Sequence, residues 1–231
     1  MKRIILLSFL VISIFAKAQS YKVIYKLKLT ENYKTESSNK LMDERKKNLY
    51  KSVFEIAADF IHTLVFNQNE SLYTFDEPMK PDDVDDMAFF MARLAGGKDT
   101  VYQNKLSKII LYRVKFNEKN VLEKYQLNND WEITNQRKKI LGYNVIKAIK
   151  GRNIAWFTPD IPVPFGPNGQ GGLPGLILEY SFGPRTIYAS KIIKMNKKLD
   201  IVKPKGEIIE HEILKNKRME QMTRHRLKNK R

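Results

Sequence analysis

The chain has 231 residues and 27.1 kDa, with 42 Lys+Arg against 25 Asp+Glu, a formal net charge of +17, 42% hydrophobic residues and no cysteine. That length and apolar content suit one globular domain with extensions and exclude a disordered tail. The missing cysteine excludes disulfide staples, thiolate metal sites, thiol nucleophiles and lipidation of an N-terminal cysteine.

At the start, Met1-Lys2-Arg3 is positive, residues 4–16 are mostly apolar, and Ala16-Lys17-Ala18 sets small residues at an A-x-A cleavage site. This predicts a secretory signal peptide over residues 1–18, because the apolar run is shorter than the roughly 17–25 residues a spanning helix needs. Residues 19–212 are then expected to form a single antiparallel-sheet domain, and 213–231 a basic C-terminal helix or tail. An exported chain has little access to nucleic acid, so its charge points to an anionic membrane surface or an acidic partner.

Tyr21-Lys22-Val23-Ile24-Tyr25-Lys26-Leu27-Lys28-Leu29 alternates with period two, which predicts a strand with Tyr21, Val23, Tyr25, Leu27 and Leu29 inward. Residues 30–40 are polar and read as a loop. Leu49, Val53, Ile56 and Phe60 recur at helical spacing, one stripe of an amphipathic helix within 43–59. Residues 60–66 and 71–75 are strand-like and joined by Asn67-Gln68-Asn69-Glu70, a hairpin-length connection. Residues 87–95 are helix-prone before Gly96-Gly97, and their Met and Phe content suits either core packing or a ligand groove.

From residue 100 to 189 the chain is a series of short β-like runs: 101–102, 109–116, 121–127, 131–134, 143–150, 154–158, 176–181 and 186–194. Turn residues between them predict consecutive antiparallel strands. Beyond Pro204 the sequence changes character: residues 213–231 are helix-compatible and rich in Lys and Arg, with Leu214, Met219, Met222 and Leu227 as a narrow apolar stripe. It reads either as a basic amphipathic helix on an anionic surface or as a solvated tail.

The search for chemistry is mostly negative. His62, His211 and His225 are far apart and form no H-E-x-x-H pattern, and Asp82, Asp83, Asp85 and Asp86 do not match a calcium loop. No glycine-rich loop joins a strand to a helix, and no G-x-S-x-G elbow is present. No metal and no cofactor are therefore expected.

One segment stands apart. Residues 158–178 hold five prolines and five glycines interleaved with large apolar groups, running from Trp156-Phe157-Thr158-Pro159-Asp160-Ile161-Pro162 through Phe165-Gly166-Pro167 to Gly172-Leu173-Pro174-Gly175-Leu176-Ile177. Proline fixes φ and removes donors while glycine permits φ > 0, so this is a long ordered crossing between strands. It reads either as a rigid plug over the end of the sheet or as a binding rim.

These residues resemble the GLPGLI family of exported Bacteroidetes proteins, named after that hexapeptide. The likeness extends to the Tyr-rich first strand, the hairpin near Ser71-Leu72-Tyr73 and the Gly142-Tyr143 strand entry with Lys147-Ala148; it departs at Asn168-Gly169-Gln170 and at Val145, where members often have cysteine. The resemblance implies export to the periplasm or envelope without lipidation, and no reaction. By analogy it also implies an α+β fold, mainly antiparallel β with a few helices, curved or half-open like the barrel of periplasmic lipoprotein carriers.

Two functions follow as expectations. One is a non-enzymatic envelope protein that binds a hydrophobic or lipid-like ligand, or docks on an outer-membrane partner, with Trp156, Phe157, Phe165 and Leu173 at the rim. The other is a hydrolase, for which Asp160 and His62 are the least implausible acid/base pair. A structural component of an envelope complex is a blander alternative.

Overall fold

The computed structural model describes residues 20–29, 44–76, 78–96 and 100–228. The expected signal peptide (1–18), the polar segment 30–40, and the side chains of Leu29 and His225 lie outside what it describes.

The described elements are β1 (Ser20–Leu29), α1 (Glu44–Ala58), β2 (Ile61–Phe66), β3 (Glu70–Asp76), α2 (Asp86–Gly96), β4 (Thr100–Asn104), β5 (Ile109–Phe116), β6 (Lys119–Gln126), β7 (Glu132–Ile140), β8 (Tyr143–Lys150), β9 (Asn153–Thr158), β10 (Leu176–Phe182), β11 (Arg185–Met195), β12 (Glu207–Glu210) and α3 (His211–Lys228). All twelve strands join one sheet in the order β12-β6-β5-β4-β3-β2-β1-β11-β10-β9-β8-β7. It does not close, so the fold is α+β: an open, curved and almost wholly antiparallel sheet with three helices among the described residues. Most neighbours are successive hairpins; β1 inserts between β2 and β11, and β12 runs parallel to β6.

Period-two alternation builds the inner face. Val23, Leu64, Tyr73 and Val101 are cross-strand partners in turn, and so are Tyr25, His62 and Phe75. Register therefore places one row of large side chains on one face of β1–β4. The β2–β3 turn is held by Asn67, whose Oδ1 accepts from the backbone N–H of Asn69 and Glu70, both at 2.9 Å.

Helices cover this face. In α1 the inward residues are Val53, Phe54 and Ala57, not the whole predicted stripe: Leu49 and Ile56 are half-buried, and Phe60 lies just past the helix end. The helix is turned because it packs against β1 below and α2 alongside. In α2, Ala88, Phe89, Ala92 and Ala95 face inward. Asp85 caps its start by accepting from the Ala88 N–H at 2.9 Å, and Arg185 donates to the Ala95 carbonyl at 3.0 Å at its end.

The outer face carries a second core. Residues 196–206, between β11 and β12, cross behind the sheet, where Ile201 packs on Tyr102, Leu111 and Leu122. Leu199 anchors the crossing: its N–H donates to Ser20 Oγ at 2.8 Å and its carbonyl accepts from Asn67 Nδ2 at 3.2 Å. This delivers β12 to the sheet edge and starts α3. Leu214 of α3 is fully buried against Val121 and Ile209. Glu123, 1% exposed, takes contacts from His211 Nδ1 (2.8 Å), Tyr125 Oη (3.1 Å) and Arg218 Nη1 (3.5 Å). A buried carboxylate needs such partners.

Two strands depart from the sequence reading. β7 runs to Ile140 rather than ending near 134, and β12 was not anticipated. No helix among the described residues is long and apolar enough to cross a membrane.

Leu111→Ala should cost about 2–5 kcal/mol, as truncations in a packed core do. Urea unfolding of the purified chain measures it; a loss under about 0.5 kcal/mol would mean the outer face is only loosely covered.

Candidate functional site

The proline- and glycine-rich segment crosses the concave side of the sheet as a chord. Leaving β9 at Thr158, it turns at Pro159-Asp160, where the Asp160 N–H donates to Thr158 Oγ1 at 3.3 Å. Its outgoing and returning halves then bond to each other. Gly172 N–H donates to the Pro164 carbonyl (3.1 Å), Leu176 N–H to Ile161 (3.0 Å), Ile177 N–H to Phe165 (3.0 Å), and Phe165 bridges Gly171. The tip is a single 3-10 turn, Pro167–Gly169.

Side chains from distant strands hold that tip by its carbonyls. Gln103 Nε2 on β4 donates to Gly169 O at 3.1 Å and is itself steadied by Ser71 Oγ at 3.2 Å. Tyr112 Oη on β5 donates to Asn168 O at 3.4 Å, and Trp131 Nε1 to Gly171 O at 2.9 Å. The chord thus ties β9 and β10 to β4 and β5 across the strands between them.

The predicted site residues fall into two groups. Phe157, Phe165, Gly166, Pro167, Leu173, Gly175, Leu176 and Ile177 are buried, with Ile161 and Val163 beside them; Pro159, Asp160, Pro162 and Pro174 are exposed, and Gly172 is half-buried. Phe165 packs near Phe66, with ring centroids 6.1 Å apart. Trp156 is half-buried beneath Lys138, whose Nζ lies 4.3 Å from the ring centroid and 2.8 Å from Glu179 Oε1.

Two glycines of the hexapeptide are dictated by close approach. Gly172 has φ +87°, and a Cβ there would collide with the Asn128 carbonyl oxygen. At Gly175 a Cβ would collide with the Thr158 carbonyl oxygen. Between the chord tip and β5–β6 lies a polar crevice of about 180 Å³, bordered by Tyr112, Tyr125, Trp131 and Lys150.

The larger clefts lie at the helical cover, away from the hexapeptide. One of about 400 Å³ runs between α1 and the start of α2, bordered by Leu49, Ile56, Val84 and Ala88. A neighbouring one of about 310 Å³ is mainly apolar, bordered by Ile56, Phe60, Pro78, Met79 and Phe89. Beside them α2 turns Met87 (59% exposed), Phe90 (53%) and Leu94 (61%) to solvent. Spacings of three and four set these on one outer face. The acidic residues Asp82, Asp83, Asp85 and Asp86 are exposed around its start.

Beneath the cover sit polar groups that the sequence pattern hides. Tyr25 Oη donates to the Ile177 carbonyl at 2.7 Å. His62 is fully buried and stacks on Tyr73 (5.7 Å) and Phe75 (5.0 Å), and neither its ring nitrogens nor Tyr73 Oη has a hydrogen-bond partner among the described residues. Burial lowers the His62 pKa to about 4 and pushes both tyrosine hydroxyls up. Asp160 is exposed and its carboxylate does not meet His62, so the expected acid/base pair is not assembled. Tyr25 and Tyr73 were legible only as strand residues, since alternation reports burial and is silent on hydroxyls.

Residues 150–179 match the model of a family described as "Protein of unknown function (Porph_ging)". No curated protein matches the chain. Among solved structures, "Structure of PNGF-II in P21 space group" is similar at 21% identity with a TM-score of 0.51, covering 84% of this chain and 31% of that one. The likeness is one of fold, and this chain spans under a third of that chain's length.

Gly172→Ala should cost about 3 kcal/mol or more, combining left-handed strain with a backbone collision. Gly183→Ala, at φ +52° with open space around it, should cost only about 1–2 kcal/mol. Equal losses in urea unfolding would count against the chord as a tight crossing. His62 should also make stability depend on pH. Its folded pKa lies below the ordinary 6.5, so the unfolded chain binds more protons between pH 4 and 6.5. This contribution is complete above pH 6.5 and declines as pH falls, by about 3 kcal/mol at pH 4 and below. The difference in unfolding free energy between wild type and His62→Phe, followed from pH 7 to 4, should show that slope.

Proposed function

We propose that this chain is a non-enzymatic exported protein of the cell envelope, one of the GLPGLI proteins, that takes an apolar or lipid-like ligand at its helical cover. The supporting observation is the outer face of α2. Met87, Phe90 and Leu94 are large and exposed on the helix whose Phe89 lines the apolar cleft between α1 and residues 78–89. Soluble surfaces rarely gather such residues without a partner, and clefts of this size suit an acyl chain or similar group.

Export is supported by the residues of the expected signal peptide, and the GLPGLI assignment by the hexapeptide with its Trp-Phe-Thr-Pro-Asp segment. The family match over 150–179 is compatible with both. Of the rim expected at Trp156, Phe157, Phe165 and Leu173, only Trp156 is half-buried and the other three side chains are spent on packing, so we put the ligand at the helical cover instead. Basic α3, docked by Leu214 and Glu123 with Lys215, Lys217, Arg224 and Arg226 exposed, supports contact with an anionic membrane surface. A hydrolytic reading loses its acid/base pair, since the exposed Asp160 carboxylate does not meet His62.

Native mass spectrometry of the protein purified from its own envelope should detect a stoichiometric hydrophobic molecule. Phe90→Ser with Leu94→Ser should keep the fold, as both side chains are exposed, and lower the bound fraction at least tenfold. An apo mass for the wild type would count against the ligand reading and leave an outer-membrane protein as the partner of this face.

A further inference from the structure

We infer that His62 and Tyr73 receive the uncharged, hydrogen-bonding head of a long-chain amphiphile whose tail lies along α2, a proposal that rests on the apolar-ligand reading above.

The first observation is polar. On the inner face His62 is the register partner of Tyr25 on β1 and of Phe75 on β3, and Tyr73 is two residues before Phe75. Tyr25 spends its hydroxyl on Ile177 O, but three polar atoms beside it, the two His62 ring nitrogens and Tyr73 Oη, are buried without hydrogen-bond partners among the described residues. A neutral imidazole offers one donor and one acceptor and a phenol a further donor. Together they match a hydroxyl, ester or amide. The side chains set against His62 by register and ring contact, Tyr25, Tyr73 and Phe75, are all uncharged, so an ionised head would gain no counter-charge from them. Phenylalanine at both positions would fill the same space without orphaned atoms, so the fold gives up stability by keeping them.

The second observation is the cover itself. α2 turns three alanines and Phe89 inward, packing chiefly beside α1, while Met87, Phe90 and Leu94 point to solvent. A helix held as a permanent cover buries its large residues and exposes its small ones. This one is inverted, so little apolar contact is lost when it moves, and its large side chains are already placed to wrap a tail. Phe60 and Phe89, in edge contact at 6.0 Å, close the apolar cleft on the side of Phe75 and hence of His62.

The test compares the full chain with the double variant His62→Phe, Tyr73→Phe, using 1-oleoylglycerol as the headed probe and 1-octadecene as a tail without a head. The double variant should melt higher than wild type, by about 3 °C or more. It should bind 1-oleoylglycerol at least tenfold more weakly while binding 1-octadecene unchanged. A lower melting temperature would overturn the proposal by showing that the polar atoms serve the fold. Equal binding of 1-oleoylglycerol by both proteins would overturn the head contact and leave the apolar-ligand reading standing. A wild type that binds 1-octadecene but not 1-oleoylglycerol has the same meaning, and one that binds neither overturns both.

Discussion

The structure depends on a chord. An open twelve-stranded sheet has one broad apolar face and no barrel closure to hide it, and its twist carries the two ends out of reach of each other. Residues 159–175 answer this by crossing the concavity and bonding at the far side through three carbonyls, those of Asn168, Gly169 and Gly171. A crossing segment has no ladder partners, so each polar backbone group must find a side chain or another part of the crossing. Prolines reduce the number of donors to satisfy, and glycines let the backbone pass within contact of Asn128 and Thr158. The hexapeptide is thereby accounted for by covalent geometry and packing. Most of its side chains are occupied in closing the fold, with Pro174 left exposed.

The outer face shows the same logic at lower cost. Residues 196–206 lie across it, pack a half-buried Ile201 against Tyr102, Leu111 and Leu122, and bring β12 alongside β6 in the one parallel pairing among the described strands. Parallel pairing requires such a crossover, because a hairpin cannot supply it. The crossover also fixes where α3 begins, at His211, and so places His211 and Arg218 against Glu123. The basic helix is thus docked along its first turns by burial and by charge, while its remaining cations stay in water.

Much of this was legible in the residues. β1 and the β2–β3 hairpin follow from period two, and the 158–178 segment was recognisable as an ordered crossing because Phe165 and Leu173 have no place in a solvated linker. The partners of that crossing were not legible: Gln103, Tyr112 and Trp131 come from separate strands and loops, and no local pattern marks a side chain that will bond a carbonyl more than 40 residues away in most cases. β7 was read short since Asn135 to Lys139 are polar, and an edge strand with one neighbour need not alternate. β12 has four residues, too few to carry a period. For α1 the spacing gave the helix but not its rotation, which the packing of β1 and α2 together decides.

The helical cover is where local rules and the fold disagree, and the disagreements are of one kind. The strands expected over 60–66 and 71–75 do form and their register turns His62 and Tyr73 inward, yet their polar atoms have nothing to bond among the described residues. Helix-prone residues 87–95 do form a helix, yet its alanines face inward beside α1 while Met87, Phe90 and Leu94 face water. Selection for stability alone would reverse both, filling the inner positions with hydrocarbon and turning Phe90 and Leu94 inward. Either feature by itself is a minor defect of packing. Stacked in one place, with an apolar cleft beside them, they describe a cover held less tightly than the sheet beneath it, over a floor whose hydrogen-bonding capacity is still unspent.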